Sequence, residues 1–462
     1  MSVDSISRER WGIVGGGMLG MTLAYRLAQQ GRDVTLFEAA DHCGGLASAW
    51  SLGDVVWDRH YHVILRSDRF LRSLLGELDL EKEIRWTTTK TGFFTEGHLH
   101  SLSNAWEFLR FPALNLWDKT RLAVTILHAA HLKDWQGLEH IRVDEWLRRW
   151  SGKRATEKIW IPLLRAKLSE NYTKASAAFI WAIIQRMYGA RRSTRRVEEF
   201  GYVPGGYARI LDRFATALVE AGVRVRPRSR VKQLRALNGG VRVALDDGHV
   251  EMVDRCIVTA AAPQAERLCE GLNQDERARM RGITYQGVVC ASLLLKQPLS
   301  EFYITNITDS NIPFTAVIEM SALVDRSLLN GKTLVYLPKY VVPDSPWFEK
   351  DEAEIRECFF EGIKKIHPSF GPEQVEAFRV SRVRYVLPIS TLGYSEGVPN
   401  KKSSVPGLYI VNSAHILNGT LNVNETVQLA EQSIKEMLSA GQAVSIENAG
   451  YEIKKTLRQS VA

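Results

Sequence analysis

Three glycines, Gly15, Gly17 and Gly20, stand in G-x-G-x-x-G spacing between the apolar run "WGIVG" and the apolar-periodic stretch "MTLAYRLAQQG". That order predicts a strand, a tight turn and a helix. The first N–H groups of such a helix are unpaired and partly positive, which suits a phosphate. Gly15 permits the turn, Gly17 lets the backbone approach a pyrophosphate, and Gly20 lets the helix pack closely on the strand. Gly31 ends the helix and "DVTLFE" reads as the next strand. Glu38, at its end, can accept both hydroxyls of an adenosine ribose and disfavours a phosphorylated one. The chemistry is dinucleotide binding, and these glycines alone do not separate a nicotinamide from a flavin.

A second glycine pair follows at once, Gly44 and Gly45 in "AADHCGGLASAW". A nicotinamide domain normally continues into a further strand and helix here; a glycine turn instead brings more backbone up to a second section of ligand. Beyond it lies the polar stretch "VVWDRHYHVILRSDRF", residues 55 to 70. If extended, it places Asp58, His60 and His62 on one face. His62 and His60 are then candidates to donate hydrogen bonds to a cofactor or substrate, or to move a proton near neutral pH. The competing reading is a polar network that only shapes the loop. Neither a cysteine nor a further histidine completes a metal shell, so no metal is expected.

The second glycine turn resembles the segment that wraps the pyrophosphate and ribityl chain of FAD in the flavin-containing amine oxidase, protoporphyrinogen oxidase and phytoene desaturase superfamily. Later segments are similar to that superfamily in the same order. "FGYVPGGYARILDRFATALVEAGVRVRPRSRVKQL" (200 to 234) resembles its central element, after which the chain re-enters the FAD domain near Val231. "DRCIVTAAAP" (254 to 263) resembles its strand and small-residue turn beside the cofactor, at Ala260. "VPGLYIVNSAHILNGTLNVNETVQLAEQSI" (405 to 434) resembles the closing strand, loop and helix over the flavin, with Asn412, Val423, Asn424 and Thr426 as cofactor-binding candidates. "TLNVNET" departs from the glycines and alanines usual there. Asn424 is expected to cap the final helix, while Glu425 either complements the helix dipole or takes part in catalysis. On the same analogy "RVRYVLPIS" brings Arg384 and Tyr385 toward the cleft. Arg165, Lys167 and Arg186, among the aromatics of the middle segment, are candidates for binding a substrate anion.

The elements that must position these residues follow from that order. The resemblance implies an α/β FAD-binding Rossmann-like domain, discontinuous in sequence and built from residues 1–70, 200–285 and 380–440. A second, mixed α+β substrate domain takes a helical part from 71–199 and a strand-rich part from 286–379, leaving 441–462 as a tail. The implied function is that of an FAD-dependent oxidoreductase. It would oxidise or desaturate a mostly apolar small molecule by hydride transfer to flavin N5, with oxygen, a quinone or another electron acceptor completing the cycle. The alternative is a non-redox flavoenzyme, a sugar-nucleotide mutase or polyene isomerase; a flavin-holding assembly factor is a third class.

Bulk composition agrees with a two-domain globular chain: 462 residues, 45% hydrophobic and 24% charged. Its five cysteines, at 43, 256, 269, 290 and 358, are odd in number and widely spaced, and read as reduced thiols. No secretory signal opens the sequence, which points to a cytoplasmic protein. A net charge of +8 without a recognition motif gives no support for nucleic-acid binding. Peripheral contact with the inner face of a membrane stays open, because the basic cluster "ARRSTRR" (190 to 196) follows the apolar segment "SAAFIWAIIQRMY".

Overall fold

A computed structural model describes residues 8–190 and 199–439. Five parallel strands form one sheet, in the order Leu408–Ile410, Arg255–Val258, Arg10–Val14, Asp33–Phe37 and Arg224–Arg226. The glycine-rich turn begins on its central strand. Strands covered on both faces read as continuous apolar runs, and Gly12 to Val14 and Val34 to Phe37 are buried throughout. One face carries the helices Met18–Gln29 and Gly206–Glu220 and the helix 423–439, sharing a core around Leu23, Leu36, Phe214 and Val427. The other carries a three-stranded antiparallel sheet and the helix Ala262–Leu268, around Val241, Val258 and Ala265. Distant stretches thus supply one Rossmann-like domain.

The second domain is built on a seven-stranded mixed sheet, ordered Val375–Pro388, Tyr285–Leu295, Thr333–Val341, Ala316–Glu319, Phe302–Ile307, Lys90–Thr95 and His98–Ser101. Alternation divides its two faces. Val288, Cys290, Leu294, Leu334 and Tyr336 meet Trp57, Leu65 and Phe200 from the Rossmann-like side. Val289, Ala291, Leu293, Val335 and Leu337 pack beneath the amphipathic helix Glu352–Ile366. The sheet recruits two strands, Lys90–Thr95 and His98–Ser101, from the stretch read as mostly helical. It also keeps Val375–Pro388 beyond position 380, because that strand pairs along Tyr285–Leu295.

Helices Leu116–His131, Val143–Ser151 and Ala177–Ala190 complete this domain over Leu387 and Ile389. Residues 177–182 are buried here, and the Trp181 indole N–H donates to the Leu132 carbonyl at 3.0 Å. The apolar segment 176–188 is therefore used in domain packing. Residues 191–196 of the basic cluster and the tail after 439 lie outside the described residues. No described helix is long and apolar enough to cross a membrane.

Phe359 is fully buried, edge-on to Phe314 and tilted against Trp347. Phe359→Ala is expected to cost about 3–5 kcal/mol, measured as a lowered denaturant midpoint; a midpoint unchanged from wild type would contradict this packing.

Candidate active site

The two glycine turns lie backbone against backbone. A Cβ on Gly20 would stand 1.9 Å from the Gly15 carbonyl oxygen, so the helix start approaches the strand end as closely as main chain permits. Gly15 itself has φ +106°, a conformation that glycine adopts without strain. The Gly44 N–H donates to the Gly16 carbonyl at 2.8 Å, and a Cβ on Gly45 would fall 3.0 Å from the Gly17 Cα. A side chain on Gly17 would meet only the Gly45 Cα, at 3.8 Å. The result is a groove walled by main chain at a helix N-terminus, and it fits a pyrophosphate.

Glu38 sits at the groove's adenosine end. Its carboxylate accepts the Gly16 N–H at 2.6 Å and the Ala40 N–H at 2.7 Å, one on each oxygen. Each oxygen keeps acceptor capacity for a ribose hydroxyl. Ser229 N–H donates to the Glu38 carbonyl at 2.7 Å, which brings the chain leading into Val231 alongside. At the far side, Thr259 Oγ1 donates to the Val14 carbonyl at 2.9 Å, and Asn412 Nδ2 donates to the Ala260 carbonyl at 2.9 Å. Ala260 and Asn412 thereby tie two strand ends together beside the groove.

The closing helix differs from expectation at its cap. Asn422, not Asn424, accepts the Glu425 N–H, at 3.1 Å, and its carbonyl takes the Thr426 hydroxyl at 2.8 Å. Val423 opens the helix, half-buried. Asn424 turns away from its own helix terminus. Its Oδ1 accepts the Phe70 and Leu71 N–H groups at 3.0 and 3.2 Å, and so caps the neighbouring helix Arg69–Glu77. That reach across the fold cannot be read from local spacing, where both asparagines are acceptable caps.

The histidines also part company. Strand Val55–Asp58 ends at Asp58 and the chain bends at 59–60, so strict alternation stops. His60 is buried: its Nδ1 donates to the Leu46 carbonyl and its Nε2 accepts from Ser381 Oγ, both at 3.1 Å. With both nitrogens engaged, it joins the FAD loops to the seven-stranded sheet. Burial pushes its pKa down to about 4. His62 instead packs its ring 4.8 Å from the ring of Tyr207, with Nδ1 3.7 Å from an Asp58 oxygen. That Nδ1 and the Tyr207 hydroxyl are buried without a hydrogen-bond partner. Asp58 accepts the Tyr207 N–H at 2.7 Å, and burial raises its pKa.

Arg384 and Tyr385 point to opposite sides of their strand. Arg384 is exposed, pairs with Glu349 and donates to the Pro343 carbonyl at 2.7 Å, which takes it away from the cleft. Tyr385 packs edge-on to Tyr285, whose hydroxyl accepts the Ala262 N–H at 3.2 Å; it faces the Rossmann-like core. Arg186 is also committed, to buried Asp68 at 2.9 Å. Arg165 pairs with Glu170 at 3.3 Å. Tyr61, Tyr340, Gln286 and Ser169, which the sequence reading passed over, cluster near Lys167, with Tyr61 and Tyr340 packed on the sheet face toward the Rossmann-like domain. Tyr61 and Tyr340 join hydroxyls at 2.8 Å, the Lys167 ammonium stands 4.7 Å over the Tyr340 ring, and buried Gln286 donates to Ser169 Oγ at 3.0 Å. Ser169 holds φ +50°, a strained value for serine.

Residues 19–424 match the family model for flavin-containing amine oxidoreductases. The chain belongs to that family. Its cofactor is accordingly FAD, and the main-chain groove and Glu38 suit that dinucleotide. Among flavin-containing amine oxidoreductase relatives, the 15-cis-phytoene desaturase of Narcissus pseudonarcissus is 24% identical over 271 residues, 54% of this chain and 46% of its own. The chain thus spans about half the length of the curated relatives it matches. A structure proposed as a protoporphyrinogen oxidase from Exiguobacterium sp. 255-15 superposes with TM-score 0.74 at 19% identity, covering 94% of this chain and 99% of that one. Reduced UDP-galactopyranose mutase gives TM-score 0.72 at 15% identity, covering 94% and 96%. At these identities the solved structures establish the shared fold.

Gly20→Ala is expected to purify with less than about a tenth of the wild-type flavin, since no relaxation short of moving the helix admits the methyl group; full flavin content would contradict the close approach. His60 is expected to titrate near pH 4. In a histidine-labelled NMR titration its ring shifts should keep neutral-form values at about pH 5.5, where an ordinary histidine is mostly protonated.

Proposed function

We propose that this protein oxidises or desaturates a mostly apolar organic substrate, with oxygen, a quinone or another carrier as final electron acceptor. Bound FAD supplies the two-electron acceptor, at N5 of its ring. What supports the reading is a main-chain dinucleotide groove in one domain together with half-buried apolar and aromatic side chains on the sheet face that the other domain turns toward it. Gly15, Gly17, Gly20, Gly44 and Gly45 would hold the pyrophosphate, and Glu38 the ribose. Tyr61, Val63, Tyr340, Val383 and Val386 are half-buried on the side of the seven-stranded sheet that faces the Rossmann-like domain. Such walls exclude water and hold an apolar donor at reacting distance.

His62 is the residue best placed for proton chemistry. Its buried Nδ1 is not committed to a hydrogen bond, unlike either nitrogen of His60. Asp58, anchored by the Tyr207 N–H, stands close enough to orient the imidazole. In this reading His62 holds a proton at Nδ1, and the Tyr207 ring, tilted against the imidazole at 4.8 Å between centroids, holds it in place. The sugar-nucleotide mutase alternative needs free cations for an anionic substrate. Arg165, Arg186 and Arg384 are all paired with carboxylates, which favours the apolar reading and leaves Lys167, over the Tyr340 ring, as the candidate cation that alternative would use.

Anaerobic mixing with the true substrate is expected to bleach the flavin; conversion only after chemical reduction of the flavin, with no net electron transfer, would sink the redox reading. His62→Ala is expected to slow flavin reduction about 10- to 100-fold, or roughly 1.4–2.8 kcal/mol, with flavin content and unfolding midpoint unchanged. Normal reduction kinetics, or loss of flavin and unfolding, would return His62 to a structural role.

A further inference from the structure

Arg59 and Arg379 come from different domains and lie against one indole. Arg59 follows the strand Val55–Asp58, where its N–H donates to the Ser48 carbonyl at 2.9 Å. Arg379 stands on Val375–Pro388 of the seven-stranded sheet. Their guanidinium carbons are 5.5 and 4.5 Å from the ring centroid of Trp50, on the strand Ala49–Leu52 that pairs with Val55–Asp58. Cation–π attraction holds both charges to the ring, yet it leaves two like charges side by side. Exposed Arg379 donates to the Ser51 carbonyl at 3.1 Å, and half-buried Arg59 has its Nε buried without a hydrogen-bond partner. Neither is in an ion pair among the described residues. The carboxylates nearby are engaged elsewhere. Asp41, whose charge acts on Arg59, is bonded to His42 Nδ1 at 2.5 Å, while Asp54 at the hairpin tip and Glu376 both take Lys332. Burial and the adjacent Arg379 charge push the Arg59 pKa down. Arg379 and Ser381 share a face of their strand, and Ser381 bonds to His60, the neighbour of Arg59. The seam between the domains is thus closed by a neutral hydrogen bond inside and left with two repelling cations outside.

We propose that Arg59, Trp50 and Arg379 form a binding site for a phosphate group, carried by inorganic phosphate or a small soluble phosphate ester, which fastens the two domains together. Each guanidinium presents a planar fork of donors that matches a pair of phosphate oxygens. A phosphate near neutral pH carries close to two negative charges and so neutralises both arginines, where a carboxylate would leave one uncompensated. It would also supply the acceptor that the buried Arg59 Nε lacks. The site is separate from the dinucleotide groove, whose walls are the main chain of Gly15 to Gly17 and of Gly44 and Gly45. It does not rest on the redox reading.

The test titrates the FAD-loaded full chain with inorganic phosphate, against sodium chloride at matched ionic strength, by calorimetry and by unfolding midpoint. One phosphate is expected to bind per chain, saturably, with a dissociation constant of about 1 mM or tighter, and to raise the midpoint beyond what chloride does. Arg379→Gln, at an exposed position, should weaken phosphate binding at least about tenfold with flavin content unchanged. In chloride its midpoint should be no lower than that of wild type, because one of two repelling charges has gone; in phosphate it should lose the gain that wild type shows. Arg59→Gln should weaken binding likewise. Competition by glycerol phosphate would assign the site to an ester, and its failure to compete would assign it to the free ion. The proposal is overturned if no saturable binding appears by about 20 mM phosphate, if chloride raises the midpoint equally, or if Arg379→Gln binds phosphate as wild type does. It is overturned equally if Arg59→Gln purifies without flavin, which would place that arginine on the cofactor's own phosphates.

Discussion

The close approach of Gly20 to the Gly15 carbonyl is the constraint on which the rest of the molecule depends. With 1.9 Å between that oxygen and any Cβ at Gly20, the helix Met18–Gln29 can begin directly against the central strand. That contact aims the helix's first N–H groups at the space beside Gly17. It also sets the position of the second turn, whose Gly44 N–H bonds back to Gly16. Glu38 then reaches the same loop through the Gly16 N–H, so a single stretch of main chain receives strand, helix, second turn and carboxylate. A side chain added at this junction would disturb the sheet and the cofactor groove together.

A second level of organisation lies where the domains meet. Asp68 takes Arg186 from the substrate domain, Asn424 reaches from the closing helix to cap Arg69–Glu77, and His60 joins Leu46 to Ser381. Each is a buried polar group paired with a partner far away in sequence. Unpaired buried polar atoms are costly, so these bonds give a definite register to surfaces that apolar packing alone would leave free to slide. Glu425 belongs to the same junction: burial raises its pKa, while Arg186 opposes the shift. His62 Nδ1 and the Tyr207 hydroxyl depart from the rule of satisfaction, and they lie beside Asp58, where proton chemistry would be placed.

Legibility followed the range of the interaction. The glycine turns, the strand–helix–strand unit and the carboxylate at Glu38 depend on conformations within some thirty consecutive residues, and main-chain sterics read directly as glycine spacing. The discontinuous domain was legible because later segments keep recognisable strand and turn patterns. The strands Lys90–Thr95 and His98–Ser101 were not legible as part of the substrate sheet. The first of them pairs with Phe302–Ile307, and nothing near residue 90 announces that partner.

The sequence by itself therefore determined the dinucleotide groove, the kind of ligand it accepts and the fold family, because these rest on local backbone geometry and on the order of segments. Tertiary structure decided the duties of individual polar residues. It separated His60 from His62 at the bend after Asp58, exchanged the caps of Asn422 and Asn424, and turned Arg384 outward to Glu349. It also brought Tyr61 to Tyr340 and left Trp117 facing outward. The physical reason is that a side chain's role is set by whichever donor, acceptor or apolar surface comes within a few ångströms of it, and those neighbours arrive from distant parts of the chain.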